Sequence, residues 1–192
     1  MTLKRIILIL AFIFFAPSYS AAETPYTADL KNCDFLIDFP EKPTIESECG
    51  KQKCSHKLSY TKVFVGESTV TIDVLCKTAE ENDFDRFSLN EMVETLKQQA
   101  KFQQVGQYTT SKSTIDRNND GIAEAKYALL TGGIDEEISF TVFMSQLWMS
   151  PESFLTVEGL IEGGASDKVD RHFSRIMRSV RLKSHQESHQ AK

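Results

Sequence analysis

The sequence predicts an α+β protein in which a mostly antiparallel sheet is sandwiched between two amphipathic helices and stabilised by disulfides. Three observations predict this class. Several segments alternate apolar and polar residues, as half-buried strands do. Two segments carry apolar residues at helical spacing. Four cysteines fall in the first half of the mature chain: Cys33, Cys49, Cys54 and Cys76. One helix on each face of a sheet of six to eight strands would bury both apolar stripes.

The N-terminus has the parts of a cleavable secretory signal peptide. Lys4 and Arg5 precede an apolar run over residues 6–16, and small residues follow up to Ala22. The run is shorter than the roughly 17–25 residues that a membrane-spanning helix needs, so an uncleaved anchor is the weaker alternative. The sequence therefore predicts a signal peptide over residues 1–22 and a periplasmic or secreted protein.

The remaining chain is predicted to form one domain over residues 23–182, followed by a disordered polar tail over residues 183–192. The formal net charge of the whole chain is −5, and removal of the signal peptide takes away two cations and no acid. This acidity disfavours bulk attraction to nucleic acid or to an anionic membrane. No second apolar stretch is long enough to anchor the mature chain.

Three strands are predicted in the first half of the chain. Residues 35–39 alternate until Pro40 stops the run, as at the edge of a sheet. A longer extended stretch covers residues 55–65. Residues 70–76 alternate around one buried face, and residues 66–68 connect these two strands as a hairpin.

A helix and four strands are predicted next. Ser88 and Glu91 match a capping box, and the apolar face of the helix that follows comprises Leu89, Met92, Val93, Leu96 and Ala100. Residues 107–115 and 122–130 predict a strand pair, and residues 154–161 predict a later strand. Residues 138–149 are apolar on both faces, which predicts a central strand covered on both sides.

The last helix has the most complete amphipathic pattern. Ser166 can cap it, and its apolar stripe comprises Val169, Phe173, Ile176, Met177 and Val180. The opposite face carries a basic stripe of Lys168, Arg171, Arg175 and Arg178. This stripe is either a solvated face or a docking surface for an acidic protein partner or a phosphate head group.

The four cysteines predict two disulfides with three alternative connectivities. Cys49 and Cys54 flank a plausible hairpin turn over residues 50–53, which favours Cys49–Cys54 and leaves Cys33–Cys76. A simple up-and-down meander opposes this pairing, because it would place Cys33 and Cys76 at opposite ends of the sheet. The other alternative is a zinc site that uses these thiols with His56.

Residues 116–124 match the D-x-N-x-D-G start of a calcium loop. The candidate ligands are the side chains of Asp116, Asn118, Asp120 and Glu124 and the carbonyl of Ile122. The twelfth position is Tyr127 instead of a bidentate Glu, and the flanks predict strands. The alternatives are a weak calcium loop of the kind found in β-rich extracellular proteins and a plain hairpin turn.

Several segments resemble the PsbP-like and DcrB-like group of small exported α/β/α sandwich proteins. They are Phe-Leu-Ile-Asp-Phe-Pro at residues 35–40 with Lys42-Pro43, the strands at residues 127–130 and 140–143, and the closing helix that runs into Ser-Val-Arg-Leu at residues 179–182. The resemblance spans most of the mature chain. It implies a non-catalytic module that binds, helps assemble or stabilises other proteins, sometimes with a metal ion.

No complete catalytic motif is present. There is no G-x-S-x-G elbow, His56 is expected on a strand surface, and His185 and His189 lie in the polar tail. We therefore expect an exported binding or accessory module with no cofactor or with weakly bound calcium. The alternative is an exported hydrolytic enzyme whose site assembles only in three dimensions.

Overall fold

A computed structural model describes residues 24–51, 53–66, 68–99, 108–135, 140–164 and 166–183. The predicted signal peptide, His185, His189 and the predicted tail beyond Lys183 lie outside these residues.

The described part of the chain contains ten strands and three helices. The strands are β1 (Tyr26–Asp29), β2 (Phe35–Phe39), β3 (Thr44–Cys49), β4 (Cys54–Val63), β5 (Ser68–Thr78), β6 (Tyr108–Ile115), β7 (Ala125–Asp135), β8 (Phe140–Met149), β9 (Ser153–Gly163) and β10 (Arg181–Leu182). The helices are α1 (Asp83–Arg86), α2 (Leu89–Gln99) and α3 (Asp167–Met177).

The strands form two separate sheets. The larger is antiparallel throughout and has seven strands in the order β3-β4-β5-β9-β8-β7-β6. The long strands β5 and β9 pair over their whole length, from Ser68 opposite Gly163 to Thr78 opposite Ser153. The smaller sheet has three strands in the order β1-β2-β10, so it joins the two ends of the domain.

The predicted fold class, one sheet sandwiched between two helices, is wrong. The protein is mostly β, and the smaller sheet covers the same face of the larger sheet as α3. The alternation of residues 35–39 identified β2 as a strand, but a periodic pattern does not specify which strand it pairs with. Because β2 pairs with β1 and β10, these strands form a second sheet. It lies beside α3 in the layer where the sequence predicts a helix alone.

The main core lies under the smaller sheet and α3. The helix buries Val169, Phe173, Ile176 and Met177 among side chains of β2, β4, β5 and β9. Gly159 of β9 permits this close approach, because a Cβ there would lie 2.6 Å from Cε2 of Phe173 and 2.8 Å from Sδ of Met177.

A second core lies on the opposite face of the larger sheet. Helix α2 buries Met92, Val93 and Leu96 against β7 and β8. Its predicted capping box is confirmed: the N–H of Ser88 donates to Oε2 of Glu91 at 2.8 Å, and the N–H of Glu91 donates to Oγ of Ser88 at 3.2 Å. No helix in the described residues is long and apolar enough to cross a membrane.

Strand β8 occupies the central position that its two apolar faces predict. It lies between β7 and β9. Phe143, Leu147 and Met149 pack in the core of α2, whereas Val142 and Trp148 pack against the main core. Successive side chains on a strand point to opposite faces. The prediction of a strand covered on both sides is therefore confirmed.

Two disulfides are present, in the pairing that the hairpin favours. Cys49–Cys54 closes the β3–β4 hairpin, whose turn is held by a hydrogen bond from the N–H of Gly50 to the carbonyl of Lys53. Cys33–Cys76 links the segment before β2 to β5, and thus joins the two sheets covalently. The chain does not form the simple meander that would separate Cys33 from Cys76. Cys33 belongs to a layer stacked on the larger sheet instead of to the edge of that sheet.

Candidate functional site

The basic stripe predicted on the last helix is exposed along its length. Lys168, Arg171 and Arg175 lie on the face of α3 opposite the buried apolar stripe, and Arg178 is the C-cap residue. Ser166 occupies the N-cap position, but it makes no side-chain capping hydrogen bond. The 3.6-residue period of an α-helix aligns the four cations in one row.

Other described cations, such as Lys57 and Lys77, also form no ion pair; what distinguishes the four cations of α3 is that they stand in one row on one helix face. Ion pairs elsewhere involve Lys53, Lys62, Lys97, Arg117, Arg181 and Lys183. Within the described residues, no carboxylate lies within ion-pair distance of Lys168, Arg171, Arg175 or Arg178. No ion pair in this part of the chain therefore neutralises the row, although the exposed Asp167 and Asp170 lie in the first turn of the same helix.

The row forms one side of a surface concavity, here called the basic groove. It has a volume of about 610 Å³ and is lined by Phe64, Lys168, Arg171, His172, Ser174, Arg175 and Arg178. Phe64 comes from the β4–β5 connection and is half-buried. Its ring lies 5.5 Å from Nζ of Lys168, within the range of a cation–π contact. The groove thus combines positive charge with one aromatic wall.

His172 lies between the basic row and the core. Its Nε2 is hydrogen-bonded to the hydroxyl of Tyr60 at 2.9 Å, and its ring meets the ring of Phe64 edge-on at 5.2 Å. Burial lowers the pKa of His172, and the nearby charges of Arg175 and Lys62 lower it further against the opposing effect of Glu41. Burial also raises the pKa of Tyr60. The pair is therefore uncharged at neutral pH.

The sequence does not identify three residues of this site: Tyr60, Phe64 and His172. The spacing of His172 from Lys168 and Arg175 places it beside the basic row, so helical geometry could have included it. No signal in the sequence brings Tyr60 and Phe64 to this helix, because their contacts with it depend on how α3 packs on the larger sheet.

The candidate calcium loop forms a turn held by its own side chains. The Asp116 carboxylate accepts hydrogen bonds from the N–H groups of Asp120, at 3.2 Å, and Gly121, at 2.8 Å. Oδ1 of Asp120 accepts one from the N–H of Ile122 at 2.9 Å. This pattern agrees with the hairpin-turn alternative.

Glu124 is directed to other partners. Its carboxylate pairs with Nε of Arg117 at 2.6 Å and accepts a hydrogen bond from Nδ2 of Asn118 at 3.3 Å. Among the described residues, the acids of the loop do not form a group with ligand atoms within 4.8 Å of one another. Calcium binding at this loop stays a prediction.

The cysteine and histidine cluster does not offer a zinc site. Cys49, Cys54 and His56 lie close together, but the two sulfurs are bonded to each other, so no thiolate is left. His56 is buried, which corrects the expected surface position. Its Nδ1 is hydrogen-bonded to Oγ of Ser47 and its Nε2 donates to the carbonyl of Lys31, both at 2.7 Å.

The Ser47–His56 pair does not make a hydrolytic site. Ser47 lies opposite His56 in the β3–β4 register, on the exposed edge strand of the larger sheet. The third partner of the pair is the neutral carbonyl of Lys31, whereas the catalytic triad uses a carboxylate to stabilise the imidazolium. The arrangement fits a cross-strand structural pair.

No protein-family profile and no curated protein matches the chain. The resemblance to the PsbP-like and DcrB-like proteins therefore stays a prediction. The fold and the groove define a class directly: a disulfide-bonded protein of two antiparallel sheets with a basic surface groove on its last helix.

Proposed function

We propose that this protein is an exported, non-catalytic binding or accessory module that docks on an acidic partner protein through the basic groove. The observation that carries the proposal is the exposed row of cations on α3 without a carboxylate partner in the described residues. Complementary charge steers two proteins together and sets their relative orientation.

Two further features support the exported part of the proposal. Both disulfides fit an oxidising compartment, where such bonds persist. The N-terminal signal pattern fits export to the periplasm or the exterior of the cell. The resemblance to PsbP-like proteins, which implies a binding or assembly role, agrees with a module that has no catalytic machinery of its own.

The strength expected of such docking follows from its exposure to water. A single exposed ion pair contributes about 0.2–1 kcal/mol, so several must act together. The Debye length is about 10 Å at 0.1 M salt, so rising ionic strength should weaken the association. The partner is therefore expected to be held by several simultaneous contacts and to be released by salt.

Crosslinking in the native compartment tests the proposal. The groove variant is Arg171→Glu with Arg175→Glu. The control variant, Lys57→Glu with Lys77→Glu, makes the same charge change at exposed positions of β4 and β5. We expect the wild type and the control to capture the same partner and the groove variant to lose it, with all three equally folded by circular dichroism. Recovery of that partner from the groove variant would end the proposal.

A further inference from the structure

We infer that the basic groove recognises an extended peptide segment that carries alternating carboxylates and one apolar side chain, the latter held against Phe64. This inference rests on the proposed function and names the part of the partner that docks. It follows from the position of a carboxylate already present beside the groove, from the spacing of the cations, and from the shape of the groove.

The protein itself places one carboxylate beside the groove. Glu41, in the connection between β2 and β3, pairs with Lys62 of β4. Its negative charge reaches both Tyr60 and His172. Lys62 balances this carboxylate, whereas the cations of α3 have no carboxylate within ion-pair distance among the described residues.

The spacing of the cations on α3 matches the side-chain repeat of an extended peptide. An α-helix rises about 1.5 Å per residue, so Arg171 and Arg175 are about 6 Å apart along the axis of α3. Side chains on one face of an extended chain repeat about every 6.6 Å. Two carboxylates at positions i and i+2 of a bound segment can therefore meet these two arginines. The whole row covers about 15 Å, the length of roughly five extended residues.

Phe64 supplies the apolar part of the recognition. Its half-buried ring is held by His172 on one side and approached by Nζ of Lys168, so it is fixed at the end of the groove nearest the start of α3. An aromatic pair strengthens an association by about two- to tenfold beyond the burial of its surface. A Phe side chain at one end of the bound segment would make such a pair.

The concave shape favours a peptide over a lipid surface. Side chains that insert into a membrane project outward from the protein surface. Val65, next to Phe64 in the chain, is such a side chain because it is 95% exposed. The unpaired cations of α3 instead line a concavity of about 610 Å³ with Phe64 inside it. That volume accommodates a few residues of extended chain.

Fluorescence anisotropy with a labelled octapeptide of alternating Glu and Ser ending in Phe tests the inference on the folded full-length protein. At about 0.1 M salt we expect saturable binding. Arg171→Glu with Arg175→Glu should weaken it at least about tenfold, a loss that several exposed ion pairs together can supply. Lys57→Glu with Lys77→Glu should leave it unchanged.

Phe64→Ala separates specific recognition from simple charge attraction. It should weaken binding of the Phe-ending peptide by about two- to tenfold, the range expected for an aromatic pair. It should have no effect on a matched peptide that ends in Ser. A peptide with Gln in place of Glu should not bind.

Four results would overturn the inference: no binding of the acidic peptide, equal binding of the Gln peptide, no response to the arginine reversals, or no effect of Phe64→Ala. Binding only to vesicles of phosphatidylglycerol and phosphatidylcholine, with loss on Val65→Ser, would assign the surface to a membrane instead. The peptide could fail to bind while crosslinking to the native partner still depends on Arg171 and Arg175. That result would overturn peptide recognition and leave the docking proposal standing.

Discussion

The Tyr60 hydroxyl and Nε2 of His172 are hydrogen-bonded at 2.9 Å although 112 positions separate the two residues. This bond ties β4 to α3 directly beneath the basic groove. It holds the imidazole ring at the edge of Phe64 and beside Arg175. The neutral form of His172 therefore belongs to the folded arrangement of the site.

The first prediction concerns the pH dependence of stability. Burial and the neighbouring cations Arg175 and Lys62 lower the pKa of His172 below 6.5, so the unfolded state takes up a proton more readily than the folded state. The contribution of His172 is therefore full above about pH 6.5 and is lost as the pH falls through the folded pKa. Between pH 8 and 5, urea unfolding of wild type should show this loss.

The variant His172→Gln should remove the part of the pH dependence that comes from His172. Tyr60→Phe should lower the free energy of unfolding but keep this pH dependence, because His172 still titrates. An identical decline of unfolding free energy in wild type and His172→Gln would contradict the assignment.

The second prediction concerns the packing of α3 on β9. Gly159→Ala should destabilise the protein by about 1–3 kcal/mol, because the new methyl group overlaps Phe173 and Met177. Gly50→Ala is the matched control, since the nearest atom there is the carbonyl oxygen of Lys53 at 3.8 Å. Thermal unfolding should show a shift of about 2–10 °C for Gly159→Ala and almost none for Gly50→Ala. Equal shifts would show that the helix does not pack this closely.

The third prediction ranks the two disulfides. Cys33–Cys76 closes a loop of 43 residues and Cys49–Cys54 one of 5. Loop-closure entropy gives stabilisations of about 4 and about 2 kcal/mol respectively. Replacing both cysteines of a pair by Ala should therefore cost more at Cys33–Cys76, which also joins the two sheets. Denaturant unfolding measures the difference, and a larger loss for the hairpin pair would reverse the ranking.

The fourth prediction concerns calcium at the Asp116 loop. A site with Kd of about 10⁻⁴–10⁻³ M would stabilise the protein by about 1.4–2.7 kcal/mol at ~10 mM calcium. Asp116→Asn should abolish this gain, since it removes the charge while keeping one acceptor for the N–H groups of Asp120 and Gly121. The exposed Asp85→Asn should keep the gain. If calcium leaves the melting temperature of wild type unchanged, the loop is a turn and nothing more.

Local and periodic features could be predicted from the sequence. The capping box at Ser88 and Glu91, the central position of β8 and the hairpin closed by Cys49 and Cys54 all appear in the structure. Each depends on residues close together in the chain or on which faces of one element are apolar. The exposed row on α3 belongs to the same group, because helical spacing alone separates it from the buried stripe.

Only the tertiary structure decided how these elements are arranged. A strand pattern shows which face is buried, but the hydrogen-bonding groups of the backbone are the same in every strand and do not name a partner. The pairing of the strands places β2 in a second sheet and makes the Cys33–Cys76 disulfide a link between sheets. The packing that results requires glycine at position 159. The sequence determined a basic helix face. The packing of α3 on the larger sheet placed Phe64 beside His172 and so formed the groove, because the two residues meet only in the folded chain.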